Sequence, residues 1–510
     1  MKKIFSFLAS RMFIVFALIA VQAWIFISIM YGLDAYKEIN IMMTVVAILL
    51  VLWITSKPEN PAYKIGWIIV VLLLPVLGIL LYFFFSQRKL NKKSREAAQR
   101  IYEKTRSYLR PLEQTEKDIA AQSGGAARQS RYITASSMYP LYEHTSTKYY
   151  PMGEDFYEDL LVDLEKAEKY IFMEYFIVEE GKMWDSILEI LEKKVAQGLD
   201  VRFLYDDIGC IHTLPDKYYK QLRAKGIQCE VFNPLRPILN SMFNNRDHRK
   251  ITVIDGHTAY CGGANLADEY INAVNRFGVW KDAAVRLHGT AAWSFLVMFL
   301  QTWEFTSKQP VDYEKLIPER DAFEELPNEG FVQPFGDNPL DDIYVSQNVY
   351  LGMISNAKDY LYINTPYLIL GYEMMTALAT AAQSGVDVRI TVPHIPDKKM
   401  VFLLTKSYYA QLVRAGVKVY EYTPGFIHSK TFVSDDRYAV VGTINLDFRS
   451  LYLHYECGVW MYRTPCVPDL KRDYLETVQQ SNEITMKDVE SIPWYTRFAQ
   501  TVLRIFGPMM

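Results

Sequence analysis

Cysteine is scarce and unpaired in this chain. There are 5 cysteines among 510 residues, Cys210, Cys229, Cys261, Cys457 and Cys466, and no two stand at C-x-x-C spacing. An odd count without paired spacing excludes a disulfide framework and argues against structural zinc, so buried reduced thiols are expected. No cluster with metal-ligand spacing is visible either, and the expected chemistry needs neither a metal nor another cofactor. An excess of charge of one sign is also missing. The net charge is -3, and there is no basic stripe interleaved with aromatics. Binding of a polyanion through bulk charge is therefore disfavoured, and nucleic acid is not an expected partner.

What the chain does have is apolar sequence at its start. Three runs, 12–31, 41–55 and 66–85, are free of charged residues. A bilayer core takes roughly 20 apolar helical residues, so the first and third qualify as spans. The middle run is short and would have to thin the bilayer or dip in and out. A cleaved signal peptide is the alternative for the first run, but the runs that follow favour a retained anchor. The basic cluster Arg88, Lys89, Lys92, Lys93 and Arg95 favours the cytoplasmic side. The expectation is a multi-pass membrane region over 1–86 with the rest facing the cytoplasm. A basic helical linker over 87–130 follows. Its basic start suits anionic headgroups or a solvated face, and Ser123-Gly124-Gly125-Ala126-Ala127 reads as a flexible joint.

The remainder reads as two related halves, 131–325 and 326–485, closed by an amphipathic helix within 486–510. Helical periodicity alternates with short apolar strands in both. Strands are expected at 170–177 and 201–205, and again at 360–364 and 388–392. The turns match as well: Gly198-Leu199-Asp200-Val201-Arg202 is answered by Gly385-Val386-Asp387-Val388-Arg389. Such alternation implies an α/β sheet with helices on both faces. The first half carries extra residues before position 248, where 232–243 mixes large apolar groups with prolines. That loop suits either a lipid surface or the body of the protein. The C-terminal stretch 494–506 likewise suits a lipid interface or packing on the domain.

One motif appears in each half. His248-x-Lys250-x4-Asp255 is repeated as His428-x-Lys430-x4-Asp435. Gly262-Gly263-Ala264-Asn265 is followed at the same offset by Gly442-Thr443-Ile444-Asn445. One copy would mean little, but two matched copies indicate a duplicated unit whose histidines meet in one site. A neutral imidazole can attack phosphorus, and a second can serve as general acid and then base. Two ammonium groups beside them would hold phosphate oxygens. His248, Lys250, Asp255, His428, Lys430 and Asp435 are therefore the catalytic candidates. An imidazole in this role needs a carboxylate to fix its tautomer. Asp255 and Asp435 are one choice, although they sit at the wrong strand parity and could instead hold a turn. Asp282 and Glu456, each opening a strand-like run, are the other. The strict motif offset would place Arg276 opposite Glu456; the pairing of the two carboxylates is preferred because the site needs them.

The doubled His-x-Lys-x4-Asp with its Gly-Gly-x-Asn and Gly-Thr-x-Asn followers resembles the phospholipase D superfamily. The apolar N-terminus, Asn60-Pro61-Ala62, Trp67, Pro75, Gly78, Tyr82, Thr365-Pro366-Tyr367, Pro393 with Asp397, and Asp447-x-Arg449-Ser450 resemble, more narrowly, bacterial cardiolipin synthases. His394 and Ile395 depart from that branch, as does the extra first apolar run. The resemblance implies a duplicated phospholipase D-like α/β sandwich with pseudo-two-fold halves, preceded by N-terminal transmembrane helices in a bacterial inner membrane. It implies transfer of a phosphatidyl group from one phosphatidylglycerol to another, with glycerol released. His248 would be the nucleophile and His428 the acid/base. Gly263, Asn265, Thr443 and Asn445, with the two lysines, would bind the phosphate. The expected partners are a phospholipid and a bilayer, with the oligomeric state left open. A hydrolase releasing phosphatidic acid, a nuclease with this motif and a non-catalytic membrane scaffold are the competing readings.

Overall fold

A computed structural model describes residues 34–86, 92–234, 244–318, 326–339 and 343–509. The apolar run at 12–31 and most of the 232–243 loop lie outside these residues. Two β-sheets built on the same plan form the body. In the first, β1 (Thr145–Tyr150), β2 (Tyr170–Tyr175), β3 (Asp200–Asp206), β4 (Gln228–Phe232), β5 (Lys250–Ile254), β6 (Thr258–Gly262) and β8 (Ala284–Gly289) lie in the order β1-β8-β6-β5-β2-β3-β4; β7 (Val279–Lys281) stands apart. In the second, β9 (Phe331–Asp337), β10 (Tyr360–Asn364), β11 (Asp387–Pro393), β12 (Lys418–Tyr422), β14 (Thr431–Ser434), β15 (Tyr438–Gly442) and β16 (Glu456–Tyr462) repeat that order. β17 (Ser481–Ile484) is added beyond β12, and β13 (Gly425–Ile427) leaves the sheet to pair with β7. The β2-β3-β4 and β10-β11-β12 triplets are parallel, and the strands carrying the motifs join them antiparallel.

Alternation of side chains decides what each sheet face meets. Phe172, Ile251 and Val253 point inward, toward Val433, Val441 and Val459 of the other half. Helix Ala292–Ser307 threads the same interior, and every residue from Ala292 to Trp303 is buried. Ile171, Met173 and Ile254 face outward, onto helices Gly153–Lys166 and Lys182–Ala196. The second sheet covers its outer face with helices Val345–Asn356, Tyr372–Gln383 and Lys399–Arg414. Apolar residues at helical spacing, such as Met183, Trp184, Ile187, Leu188 and Leu191, form those contacts. The matched turns end the matched helices at Gly198 (φ +92°) and Gly385 (φ +98°), a backbone region that glycine enters without a Cβ penalty. All five cysteines are free and buried. Cys261 and Cys457, one from each half, place their sulfurs 3.6 Å apart.

Three expectations need correction. The 123–127 stretch is not a flexible joint, because Ser123 Oγ caps a helix by accepting from Ala126 N (3.2 Å). That helix, Gly124–Ser137, buries Ala126 and Ala127. The 66–85 run is not one continuous helix. It breaks at Leu74, ahead of Pro75, into α2 (Pro61–Leu73) and α3 (Pro75–Phe85). The second piece folds back so closely that a Cβ on Gly78 would lie 2.4 Å from Val70 O. The middle run, 41–55, is not a short separate element but lies within a longer helix, α1 (Asp34–Ser56). Ala47, Leu50, Ile54, Tyr63, Trp67, Val71, Ile79 and Tyr82 pack these three helices together. Among the described residues, no helix is long and apolar enough to cross a membrane. The expected helix at 494–506 is present. Arg504 lies 4.5 Å from the ring centre of Tyr408, and Trp494, Tyr495 and Phe498 on the same helix are 79%, 62% and 66% exposed.

Candidate active site

The two motifs meet where the halves exchange backbone hydrogen bonds. His248 N donates to Tyr455 O (2.9 Å), and His428 N donates to Lys281 O (2.7 Å). Tyr455 immediately precedes Glu456, and Lys281 immediately precedes Asp282. Each histidine is thus brought into register with a carboxylate of the opposite half. His248 Nδ1 lies 2.9 Å from Glu456 Oε1, and His428 Nδ1 lies 2.7 Å from Asp282 Oδ2. Asp282 and Glu456 are pseudo-two-fold mates, as the carboxylate pairing requires. Arg276, the competing mate of Glu456, instead holds Glu269 at 3.0 Å. A proton on each Nδ1, facing its carboxylate, leaves each Nε2 to meet the substrate, as a lone pair or, once protonated, as a proton donor.

The lysines are fixed by their own motifs. Lys250 Nζ donates to His248 O (2.6 Å), and Lys430 Nζ donates to His428 O. All four motif side chains are buried. Burial, the neighbouring ammonium groups and the His454 imidazole push His248 well below the ordinary imidazole range. Burial and Lys430 bring His428 down to about 4, against the pull of Asp282. Burial lowers Lys250 to about 8 and Lys430 to about 7, against the raising effect of the carboxylates. The carboxylates differ from one another. Burial raises Asp282, but His428 and Lys430 outweigh it and hold Asp282 below the usual range. Burial dominates at Glu456 and raises it well above that range, although Lys250 and Thr443 oppose it.

Several sequence candidates do other work. Asp255 lies at the far end of β5 and accepts from Glu168 N, Lys169 N and Tyr170 N at 2.8, 2.7 and 2.8 Å. Asp435 does the same for Lys358 N, Asp359 N and Tyr360 N at 2.8, 3.0 and 3.0 Å. Both have positive φ, 51° and 54°. The expectation that they join the catalytic group is corrected: their carboxylates are used up in holding the turn before the neighbouring strand. Asn265 is also engaged, accepting from Ile177 N (3.0 Å) and donating to Tyr270 OH (2.7 Å). Thr443 Oγ1 donates to Glu456 Oε2 and accepts from Cys457 N (3.0 Å). Gly263, its mate, leaves room for the other carboxylate, since a Cβ there would lie 2.0 Å from Asp282 Oδ1. Of the four expected phosphate binders, only Asn445 keeps a buried polar atom, Oδ1, without a protein partner.

The sequence reading missed two flanking rings. Trp280 stands two residues before Asp282, with its ring 5.4 Å from that of His428. His454 stands two residues before Glu456, with its ring 5.6 Å from that of His248. The signal was available, because each precedes its carboxylate by the same step. Among the described residues, His248, His454 and Glu456 could offer donor atoms to a cation, all within 4.8 Å of one another. Glu456 is already bonded to His248 and Thr443, and two lysines share the site, so the charge favours an anion. A cleft of about 1400 Å³ opens beside Arg246 and Tyr455, but neither motif histidine lines it.

Two imidazole–carboxylate pairs with two lysines between them can hold a phosphodiester and exchange one of its ester groups without another cofactor. Comparisons with known proteins say which family uses this arrangement here. A family model described as the PLD-like domain of cardiolipin synthase matches residues 160–280 and 350–478, and the N-terminal model of the phospholipase D-nuclease family matches 42–87. The cardiolipin synthase of Geobacillus kaustophilus is 33% identical over 92% of this chain and 93% of its own length. This chain belongs to the cardiolipin synthase family. An uncharacterised protein of Streptococcus mutans is 44% identical, over 90% of this chain and 99% of its own. The phosphatidylserine synthase of Haemophilus influenzae shares the fold, with a TM-score of 0.57 at 16% identity over 76% of this chain and 98% of its own. Family membership places the chain among the phospholipase D-like enzymes, and the paired motifs give that superfamily's duplication a concrete geometry.

Proposed function

We propose that the protein is a cardiolipin synthase, transferring a phosphatidyl group from one phosphatidylglycerol to the terminal hydroxyl of a second. The observation that carries this reading is the cross-half pairing of His248 with Glu456 and His428 with Asp282, inside a family whose named members are cardiolipin synthases. His248 Nε2 attacks phosphorus of the donor, forming a P–N bond. The P–O bond to glycerol breaks, and His428, entering the step protonated on Nε2 with the Asp282 carboxylate balancing its charge, supplies the proton that glycerol takes away. His428, now neutral, removes a proton from the hydroxyl of the second phosphatidylglycerol. That oxygen displaces His248 and yields cardiolipin. One phosphodiester replaces another, so no nucleotide is consumed.

The two imidazoles are unequal, and this supports the division of labour. His428 faces Asp282, held below the usual carboxylate range, whereas His248 faces Glu456, raised above it; the ionised partner favours the protonated form of His428. Lys250 and Lys430 would neutralise the phosphate oxygens, with Asn445 Oδ1 turned to a substrate hydroxyl. Asp282 and Glu456 would orient the histidines. The exposed apolar side chains of α1, including Ile41, Val45, Leu49 and Leu52 at 64%, 51%, 61% and 62%, support a bilayer as the surface on which the substrate is met. The test gives purified protein phosphatidylglycerol in vesicles. Cardiolipin and glycerol in equal amounts are expected; phosphatidic acid in place of cardiolipin would point to a hydrolase and overturn the reading.

A further inference from the structure

The two catalytic pairs are not supported alike. Asp282 accepts from His428 Nδ1, from Ala283 N (2.9 Å) and, at 3.5 Å, from the indole N–H of Trp280. Among the described residues, Glu456 differs in having no backbone N–H or ring N–H besides His248 within hydrogen-bond distance. Oε2 accepts from Thr443 and lies 3.1 Å from His248 Nδ1, while Oε1 has that same Nδ1 at 2.9 Å. The Ser450 side chain also favours the ionised carboxylate, and the His454 imidazole stands just beyond these donors, its Nδ1 3.8 Å from Oε1. That imidazole side chain is only 10% exposed, and neither of its buried ring nitrogens has a hydrogen-bond partner. A buried polar group left without a partner is costly, so a partner within reach is favoured. A buried carboxylate is held ionised by several donors acting together. The unpartnered Nδ1 faces this carboxylate across less than 1 Å of excess distance.

The pseudo-two-fold adds an independent reason. His454 and Trp280 precede their carboxylates by the same two residues, and each ring lies beside its half-site's catalytic histidine. Trp280 already directs its N–H at Asp282. We propose that His454 is a positioning residue that donates from Nδ1 to Glu456 Oε1 when substrate binds, holding Glu456 as an anion against His248. The need is greatest once His248 is bonded to phosphorus. Its ring then carries positive charge and keeps only Nδ1–H to share. The role rests on the phosphoryl-transfer reading of the site and deepens it.

The test compares His454→Asn with His454→Phe. Asparagine places its amide N–H where Nδ1 stands; phenylalanine keeps a ring of similar size and removes the donor. Turnover of phosphatidylglycerol vesicles and of bis(p-nitrophenyl) phosphate is measured for both and for the unaltered protein. The second substrate reports P–O cleavage whatever the lipid product, so a wrong lipid assignment shows as cleavage without cardiolipin. The expected result is a fall in kcat of at least about 10-fold for His454→Phe with KM little changed, and recovery to within about 3-fold for His454→Asn. Unfolding midpoints identify any variant that has lost its fold. Should His454→Phe fail to fold, His454→Leu takes its place. A donor-free variant as active as the unaltered protein overturns the proposal. So does an equal loss in folded His454→Asn and His454→Phe.

Discussion

Lys430 gives a prediction in which stability and activity move in opposite directions. Its ammonium is buried, and burial lowers it from 10.5 to about 7. The folded state therefore holds a proton less readily than the unfolded chain. Below pH 7 both states are protonated, and confining the charge costs the folded state the most. Each pH unit between the two values is worth about 1.36 kcal/mol, so the full cost is about 5 kcal/mol. As pH rises from 7 toward 10.5, the folded protein releases its proton first and the cost fades, so stability rises with pH through that window. Lys430→Met keeps the length of the side chain and removes the charge. It should raise the unfolding midpoint of the purified protein at pH 6 by several degrees, and by progressively less toward pH 10, while abolishing lipid turnover. The assay is thermal unfolding of both proteins across pH 6–10, beside cardiolipin formation at pH 7. A stabilisation that is the same at pH 6 and pH 10, or a loss of stability at pH 6, would refute the reasoning that Lys430 is a confined ammonium.

Three further outcomes follow from the same geometry. Asp255→Ala should destabilise the protein by about 2–3 kcal/mol, because three backbone N–H groups lose their acceptor at a position of positive φ, while kcat of the remaining folded enzyme changes less than about 3-fold; denaturant unfolding beside steady-state kinetics checks this. Gly263→Ala should cost at least about 100-fold in kcat, since the added methyl would occupy the space of Asp282 Oδ1, with the unfolding midpoint as the control. In the pH profile of kcat/KM, activity should fall as pH rises through about 7 to 8, where Lys430 and Lys250 of the free enzyme lose their protons. The matching limb of kcat should lie at higher pH, because bound phosphate favours both ammonium groups.

Much of the architecture was legible because it is written twice. Matched turns, alternating periodicity and equal motif offsets carry the two halves, and strands β2, β3, β10 and β11 fall where the pattern puts them. Asp282 and Glu456 could be chosen over the motif aspartates by asking what an imidazole needs, and by noticing the parity of Asp255 and Asp435. What remained hidden depends on contacts between distant parts. Asp255 and Asp435 serve a turn some eighty residues away in sequence, so spacing around the histidines could not reveal it. Ser123 through Ala127 looked flexible because glycine pairs usually are, yet a serine cap and burial of two alanines fix them in a helix. Pro75 was visible, but only the packing of Gly78 on Val70 shows that the run turns back on itself. His454 reads as an ordinary histidine until the halves are superposed and it falls opposite Trp280.

The central claim is that one phosphate site is shared by two histidines from opposite halves, with His248 forming the bond to phosphorus. The most direct measurement is to mix the protein with phosphatidylglycerol labelled at phosphorus, quench at alkaline pH during turnover, and map the label by peptide. The account predicts acid-labile label on the peptide bearing His248, chased into cardiolipin when unlabelled phosphatidylglycerol is added. Cardiolipin accumulating with no labelled histidine at any time would contradict it.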